Sequence, residues 1–273
     1  MSEKIVACII ARTNSTRLPF KVLRNIVNYK CMLDVIIDRI KLSKGIDEIY
    51  LCTSNVPEDE ILEDVAEQNQ IKIYRGDPIQ VIERMLTVSE KENAQYVIRI
   101  TGDNVFTDPY ILSRQIEFHL DNVLEYSRTE YLPIGTTAEV ISSNALKRCY
   151  NNIDPRQSEY LMLYMFNPVN YKCGVIIPYD KDFSKYTLTV DTKEDLIRTK
   201  KIANILGDGF YRANVSKIIN IIETCNIKNA LFNNESPVKF PDNKLITYSE
   251  FRYLMDKRIN DSQVKLSINL EEI

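Results

Sequence analysis

Three fixed cations, Arg12, Arg17 and Lys21, lie within ten residues of one another near the start of the chain, interleaved with Asn14, Ser15 and Thr16. No carboxylate occurs between Lys4 and Asp34. Arginine presents paired N–H donors to phosphate oxygens and lysine supplies a compact charge, so this run has the chemistry of a polyphosphate receptor. An ordinary solvated loop would mix Lys with Glu. Two further polar clusters follow apolar runs: Thr53-Ser54-Asn55, and Gly102-Asp103-Asn104. A fourth, Asp191-Thr192-Lys193-Glu194-Asp195, opens a helical pattern. There Thr192 can cap the helix with Asp195 as its capping-box partner, which leaves Asp191 at the strand end, available to a site. The two roles are compatible.

The elements that must position these groups are legible over the first 120 residues. KIVACIIA, EIYLCTS, IKIYRG and YVIRIT read as strands, and CMLDVIIDRIKLS, EDEILEDVAEQNQ and PIQVIERMLTVSEKENA carry apolar residues at helical spacing. The β-α-β-α order predicts a Rossmann-like α/β fold: a mostly parallel sheet with right-handed crossovers and helices on both faces. Ligands of such sheets bind at the carboxyl ends of the strands, and the polar clusters follow strands in that position.

The rhythm changes near residue 125. TTAEVISSNALKRCY reads as a strand entering a short helix, DPRQSEYLMLYMFNP as a helix with an aromatic and methionine stripe, and KCGVIIP and KYTLTVD as strands. Residues from about 125 to 180 are expected to form an inserted β-rich arm. The apolar content of Tyr160, Leu161, Met165 and Phe166 suggests a homodimer contact there. Residues 1–235 are assigned to one domain and 236–273 to a C-terminal extension with one amphipathic helix around SEFRYLMDKRI.

Composition bounds the function. With 273 residues, 44% hydrophobic and 27% charged, the chain is globular. A net charge of −3 argues against a broad nucleic-acid face. The six cysteines (8, 31, 52, 149, 173, 225) form no CxxC pair and are expected as buried free thiols. No signal-peptide pattern and no apolar run of membrane-spanning length is seen, so the expectation is a cytoplasmic protein without membrane or nucleic-acid partners. The single histidine, His119, is expected on the surface of a peripheral helix.

Seven blocks then occur in one order over about residues 5–233: ARTNSTRLPFKVL, DEIYLCTSN, GDPIQVIERM, VIRITGDNVFTDP, AEVISSNAL, SEYLMLY and LTVDTKEDL. In this the chain resembles the cytidylyltransferases that activate acidic sugars, such as the acylneuraminate and 3-deoxy-manno-octulosonate enzymes, and most of all their spore-coat polysaccharide branch. The resemblance implies Mg²⁺-dependent transfer of CMP from CTP to an acidic sugar, with pyrophosphate released, in surface glycan synthesis. It places Arg12, Ser15, Arg17 and Lys21 on the phosphates, with Ala11, Thr53, Ser54, Arg84, Thr101 and Gly102 completing the nucleotide site. It makes Arg12, Lys21 and Asp103 catalytic candidates, Asp103 and Asp191 the Mg²⁺ ligands, and Glu139, Glu159 and Tyr160 acceptor-binding candidates.

The chain also departs from that pattern. Phe20 stands where the family usually has glycine, and Val105 where proline follows the metal acid. Ser158-Glu159-Tyr160-Leu161-Met162-Leu163-Tyr164 replaces a block that commonly carries a histidine. Alternative readings are a nucleotidyltransferase for a sugar phosphate or other phosphorylated or phosphonate acceptor, and a catalytically inactive nucleotide-binding homologue. A glycosyltransferase with a similar nucleotide domain would be expected to show a D-x-D motif near the strand ends, and none stands in the basic loop or in the Thr53-Ser54-Asn55 and Gly102-Asp103-Asn104 clusters.

Overall fold

A computed structural model describes residues 3–228, 231–241 and 244–270. In chain order its elements are β1 (Ile5–Ile10), β2 (Asn25–Val27), β3 (Lys30–Cys31), α1 (Met32–Ile40), β4 (Glu48–Ser54), α2 (Ile61–Gln68), β5 (Lys72–Gly76), α3 (Val81–Glu92) and β6 (Tyr96–Thr101). There follow α4 (Pro109–Asp121), β7 (Tyr126–Thr129), β8 (Glu139–Ser142), α5 (Ser143–Asn152), α6 (Leu161–Met165), β9 (Cys173–Ile177), α7 (Lys193–Leu206) and α8 (Val215–Thr224). The tail adds β10 (Pro237–Lys239), β11 (Leu245–Thr247), α9 (Tyr248–Asp261) and β12 (Val264–Ser267).

The central sheet has the order β12-β9-β7-β8-β6-β1-β4-β5. Every neighbouring pair is parallel except the two made by β8. β1 is apolar on both faces because both are covered, as in parallel sheets generally. Val6 and Cys8 face the layer that contains α3, α5, α6 and α9; Ile5, Ala7 and Ile9 face α1, α2 and α4. A third cluster gathers Leu18, Phe106 and Val190 with α7, α8 and Phe210. The chain runs from β1 to β4 and β5 on one side, then returns to place β6 on the other. The crevice at the ends of β1 and β6 is therefore the switch point of the sheet.

The second half differs from expectation. The residues expected as an inserted arm supply β7, β8 and β9, three strands of the central sheet itself. Leu161, Met165 and Phe166, invoked for a dimer contact, are core residues with no exposed surface; their apolar content is satisfied inside the chain. KYTLTVD is not a regular strand and makes isolated bridges, Ile134 to Thr187 and Tyr186 to Leu231. The tail is no appendage, since β12 pairs in parallel with β9. His119 lies on a peripheral helix but is fully buried: its Nδ1 is 2.8 Å from Ser127 Oγ and its ring meets Tyr96 edge-on. The cysteines are free as expected, although Cys225 is exposed and Cys31 half-buried. No helix among the described residues is long and apolar enough to cross a membrane.

Candidate active site

The strand ends approach closely. Gly102 N–H donates to Ile10 O at 2.8 Å and Ala11 N–H to Cys52 O at 3.2 Å. A Cβ at residue 102 would meet the Ala11 Cβ at 2.8 Å, so glycine is what allows this contact. From β1 the chain enters the basic loop, whose anchor is Asp59. This buried carboxylate accepts the Thr13 N–H and hydroxyl, both at 2.7 Å, and the Ser54 hydroxyl. Burial by itself would raise the Asp59 pKa; the hydrogen bonds from Ser54 and Thr13 outweigh it and hold the group below its ordinary value. The loop then turns through Phe20, whose φ of 53° is left-handed, a conformation that favours glycine. Phe20 thus stands where backbone geometry explains the glycine of the resembling family.

The turn delivers Lys21 between two acids. Its ammonium lies 3.0 Å from Asp103 Oδ2 and 2.8 Å from Asp191 Oδ1, and Arg17 Nη2 lies 3.1 Å from the same Asp191 oxygen. Burial would lower the Lys21 pKa, yet the charges of Asp103 and Asp191 raise it above the usual lysine value. For Asp103 burial acts upward, and Lys21 together with a Thr101 hydrogen bond overcomes it, leaving the carboxyl below its ordinary value. Both shifts favour the charged forms, ammonium for Lys21 and carboxylate for Asp103.

Asp191 arrives by a backbone route. The Leu188 N–H donates to Ile134 O at 2.7 Å and the Val190 N–H to Asp103 O at 3.2 Å. A Cβ on Gly135 would lie 2.4 Å from Thr189 N, so this path also needs a glycine. The capping box of α7 is made by Thr192 and Asp195. Asp195 also accepts the Asp191 N–H at 3.1 Å, so the Asp191 carboxylate has no capping duty and points to Lys21 and Arg17.

The other expected nucleotide contacts ring this centre. Arg12 is exposed and Ser15 half-buried, its Oγ accepting the Leu18 N–H at 3.4 Å. Thr53 and Ser54 are buried at the end of β4, and Thr101 ends β6. Arg84 is buried on α3, where its Nη1 donates to Cys52 O at 3.3 Å and its Nε has no partner among the described residues. Burial lowers the Arg84 pKa and the nearby Arg12 charge adds to that.

Beside the acid pair opens a cavity of about 160 Å³. Thr101 and Asn104, on either side of Asp103, line it, as do Arg99, Arg128, Glu130 and Glu139. Of the three expected acceptor residues only Glu139 is here; it is buried, bonded to Arg99, and accepts the Tyr126 hydroxyl at 2.5 Å. Glu159 is exposed, and Tyr160 sits apart under the Lys239 ammonium at 6.0 Å; neither side chain lines the cavity. Asp59, Arg99, Arg128, Glu130 and Arg252 were not foreseen. The available signal was Arg99 inside the otherwise apolar strand YVIRIT; Arg128 and Glu130, in the polar run YSRTE, carried none.

Residues 6–213 match the model of a family described as Cytidylyltransferase. The chain belongs to the cytidylyltransferase family. It is 32% identical over 212 residues to the spore coat polysaccharide biosynthesis protein SpsF of Bacillus subtilis, covering 75% of this chain and 88% of that protein. A 3-deoxy-manno-octulosonate cytidylyltransferase of Solibacter usitatus is 32% identical over 193 residues, 68% of each chain. A cytidylyltransferase structure from Leptospira borgpetersenii superposes with a TM-score of 0.77 at 24% identity, covering 85% of this chain and 100% of that one, and shares the fold. The chain is thus a nucleotidyltransferase enzyme with a mostly parallel α/β sheet, and the strand-end cluster is its candidate catalytic centre.

Proposed function

We propose that the enzyme transfers CMP from CTP to an acidic sugar, of the ulosonic or nonulosonic type, for surface glycan synthesis, releasing pyrophosphate. The observation that carries the reading is the meeting of Lys21, Arg17, Asp103 and Asp191 at the switch point, with a cation-lined cavity against it. The name of the octulosonate relative supports the acceptor class, and that of the spore-coat relative supports the surface glycan.

The donor set suits Mg²⁺. Asp103 and Asp191 bring their carboxylates together around the Lys21 ammonium, and among the described residues no cluster of three or more His, Cys, Asp or Glu offers a fuller cage. Mg²⁺ takes one or two carboxylates and completes its shell with phosphate oxygens and water. Bound there, it would neutralise charge on the triphosphate and the developing pyrophosphate. Lys21 orients both carboxylates and brings its own charge to the leaving group, while Arg12 and Arg17 grip the outer phosphates. An acceptor hydroxyl entering from the cavity then attacks the α-phosphorus in line, and the chain's contribution is position and fixed charge.

The test is pyrophosphate release from each nucleoside triphosphate with ulosonic acids, sugar phosphates and neutral sugars. CTP with an acidic sugar is the expected productive pair. Turnover confined to sugar phosphates would replace the acceptor class, and CTP binding without any turnover would point to an inactive homologue.

A further inference from the structure

The family match ends at residue 213, yet the wall of the cavity is completed by residues well beyond it. Tyr248, Phe251, Arg252 and Met255 of α9 line the cavity together with Arg99 and Arg128. The helix is firmly seated. Thr247 and Glu250 form its capping box, and Phe251, Met255 and Ile259 join the main core cluster. Arg258 Nη1 donates to the carbonyls of Leu163 and Phe166 at 2.7 Å, and β12, immediately after, extends the sheet.

Arg252 is pre-set within this wall. Its Nη1 lies 3.3 Å from Glu130 Oε2, its Nη2 lies 2.8 Å from Asp256 Oδ1, and its guanidinium stacks 5.3 Å from the Tyr131 ring centre. A guanidinium has five N–H donors, so these two contacts fix its plane and leave donors for a guest. The lining carries three guanidiniums, Arg99, Arg128 and Arg252, against two carboxylates, Glu130 and Glu139. Asp256, which is not a lining residue, offsets part of the Arg252 charge, so what the lining offers is cationic donors in excess of its carboxylates, which an anionic guest uses and a neutral guest does not. Met162, Phe251 and Met255 add apolar surface for the rest of such a guest.

We propose that α9 is the wall of the acceptor site and that Arg252 holds the acceptor's anionic group, a carboxylate or a phosphate. The inference rests on the nucleotidyl-transfer reading above and adds a specificity-determining residue outside the region shared with the family. The full chain is assayed for pyrophosphate release at saturating CTP, with ulosonic acids, sugar phosphates and neutral sugars as acceptors. Wild type is expected to use an anionic acceptor, the two anionic arms telling carboxylate from phosphate. Arg252→Gln should raise the KM for that acceptor roughly 10- to 100-fold, the loss of one charge-assisted contact. Its KM for CTP and its CTP-induced rise in melting temperature should stay within twofold of wild type, and Arg252→Lys should recover part of the loss. Arg258→Gln, which loosens the helix without touching the cavity, should lower the melting temperature and spare the acceptor KM. An unchanged acceptor KM in Arg252→Gln, or an equal loss for CTP, overturns the proposal. Turnover of neutral sugars only, or of none while CTP still raises the melting temperature, overturns the anion assignment and leaves nucleotide binding standing. Absence of any CTP-induced rise overturns the nucleotidyl-transfer reading itself.

Discussion

Asp191→Asn separates two duties that the chain places on adjacent residues. The capping duty belongs to Thr192 and Asp195: the Asp195 N–H donates to Thr192 Oγ1 at 3.2 Å, and Asp195 Oδ2 accepts the Thr192 N–H at 2.9 Å. Asparagine at 191 leaves that box whole and removes only the charge facing Lys21 and Arg17. The Arg17 side chain is 64% exposed, so its pair with Asp191 is worth at most about 1 kcal/mol. Lys21 keeps Asp103 at 3.0 Å and is not left unpaired. The stability cost is therefore about 1 kcal/mol, or a fall of roughly 2–4 °C in melting temperature. Thr192→Ala, which breaks the cap, should cost about the same, ~1 kcal/mol. Turnover tells them apart. Removing one preorganised charge-stabilising group typically costs roughly 10²- to 10³-fold, so Asp191→Asn should lose that much at limiting Mg²⁺ and recover part of it at high Mg²⁺. Thr192→Ala should keep near-normal turnover. The assay is pyrophosphate release across a Mg²⁺ titration, with thermal melts in parallel. If Asp191→Asn turns over normally at limiting Mg²⁺, the two-acid centre is wrong and only Asp103 stands.

Three further outcomes follow from the geometry. Phe20→Gly replaces a 48%-exposed side chain whose φ is 53°; relief of the left-handed backbone, less glycine's greater entropy loss, should stabilise by up to about 1 kcal/mol, and a lower melting temperature would show that the ring contributes more than its backbone costs. Asp59→Ala strips partners from Thr13 and Ser54 and should cost about 2–3 kcal/mol. It should also weaken CTP binding at least roughly tenfold, since the untied loop must be ordered by the ligand, and titration calorimetry with full CTP affinity retained would refute the anchoring role. Burial depresses the His119 pKa to about 3, so the unfolded chain binds the extra proton between the ordinary histidine value and that point. Stability contributed by neutral His119 is present above pH ~6.5 and declines by up to about 1.4 kcal/mol per pH unit as pH falls toward 3. Denaturant midpoints of wild type and His119→Gln should converge in acid, and parallel curves would refute it.

Much of this enzyme is decided locally. Unbroken apolar strands flanked by helical periodicity determine a parallel sheet, because only a sheet covered on both faces buries both sides of β1, β4 and β6. The same alternation puts the polar residues at strand ends, so the basic loop, Asp103 and the separation of Asp191 from the Thr192–Asp195 cap could be read from residue order. What residue order cannot carry is which distant segments share a sheet. A pattern such as AEVIS or CGVII states that a strand exists but not its partner, so β7, β8 and β9 read as an arm when they complete the central sheet. The KYTLTV run has strand composition, but its backbone partners lie in loops, at Ile134 and Leu231, so it makes isolated bridges rather than a ladder. The acceptor side is the extreme case: Arg99 and Arg128 meet because β6 and β7 both pair with β8, each opposite Glu139, and Arg252 joins them from α9, in the tail that β12 ties to the sheet edge. Like charges gather in a buried space only when the whole fold holds them there, so that cavity belongs to the tertiary structure alone.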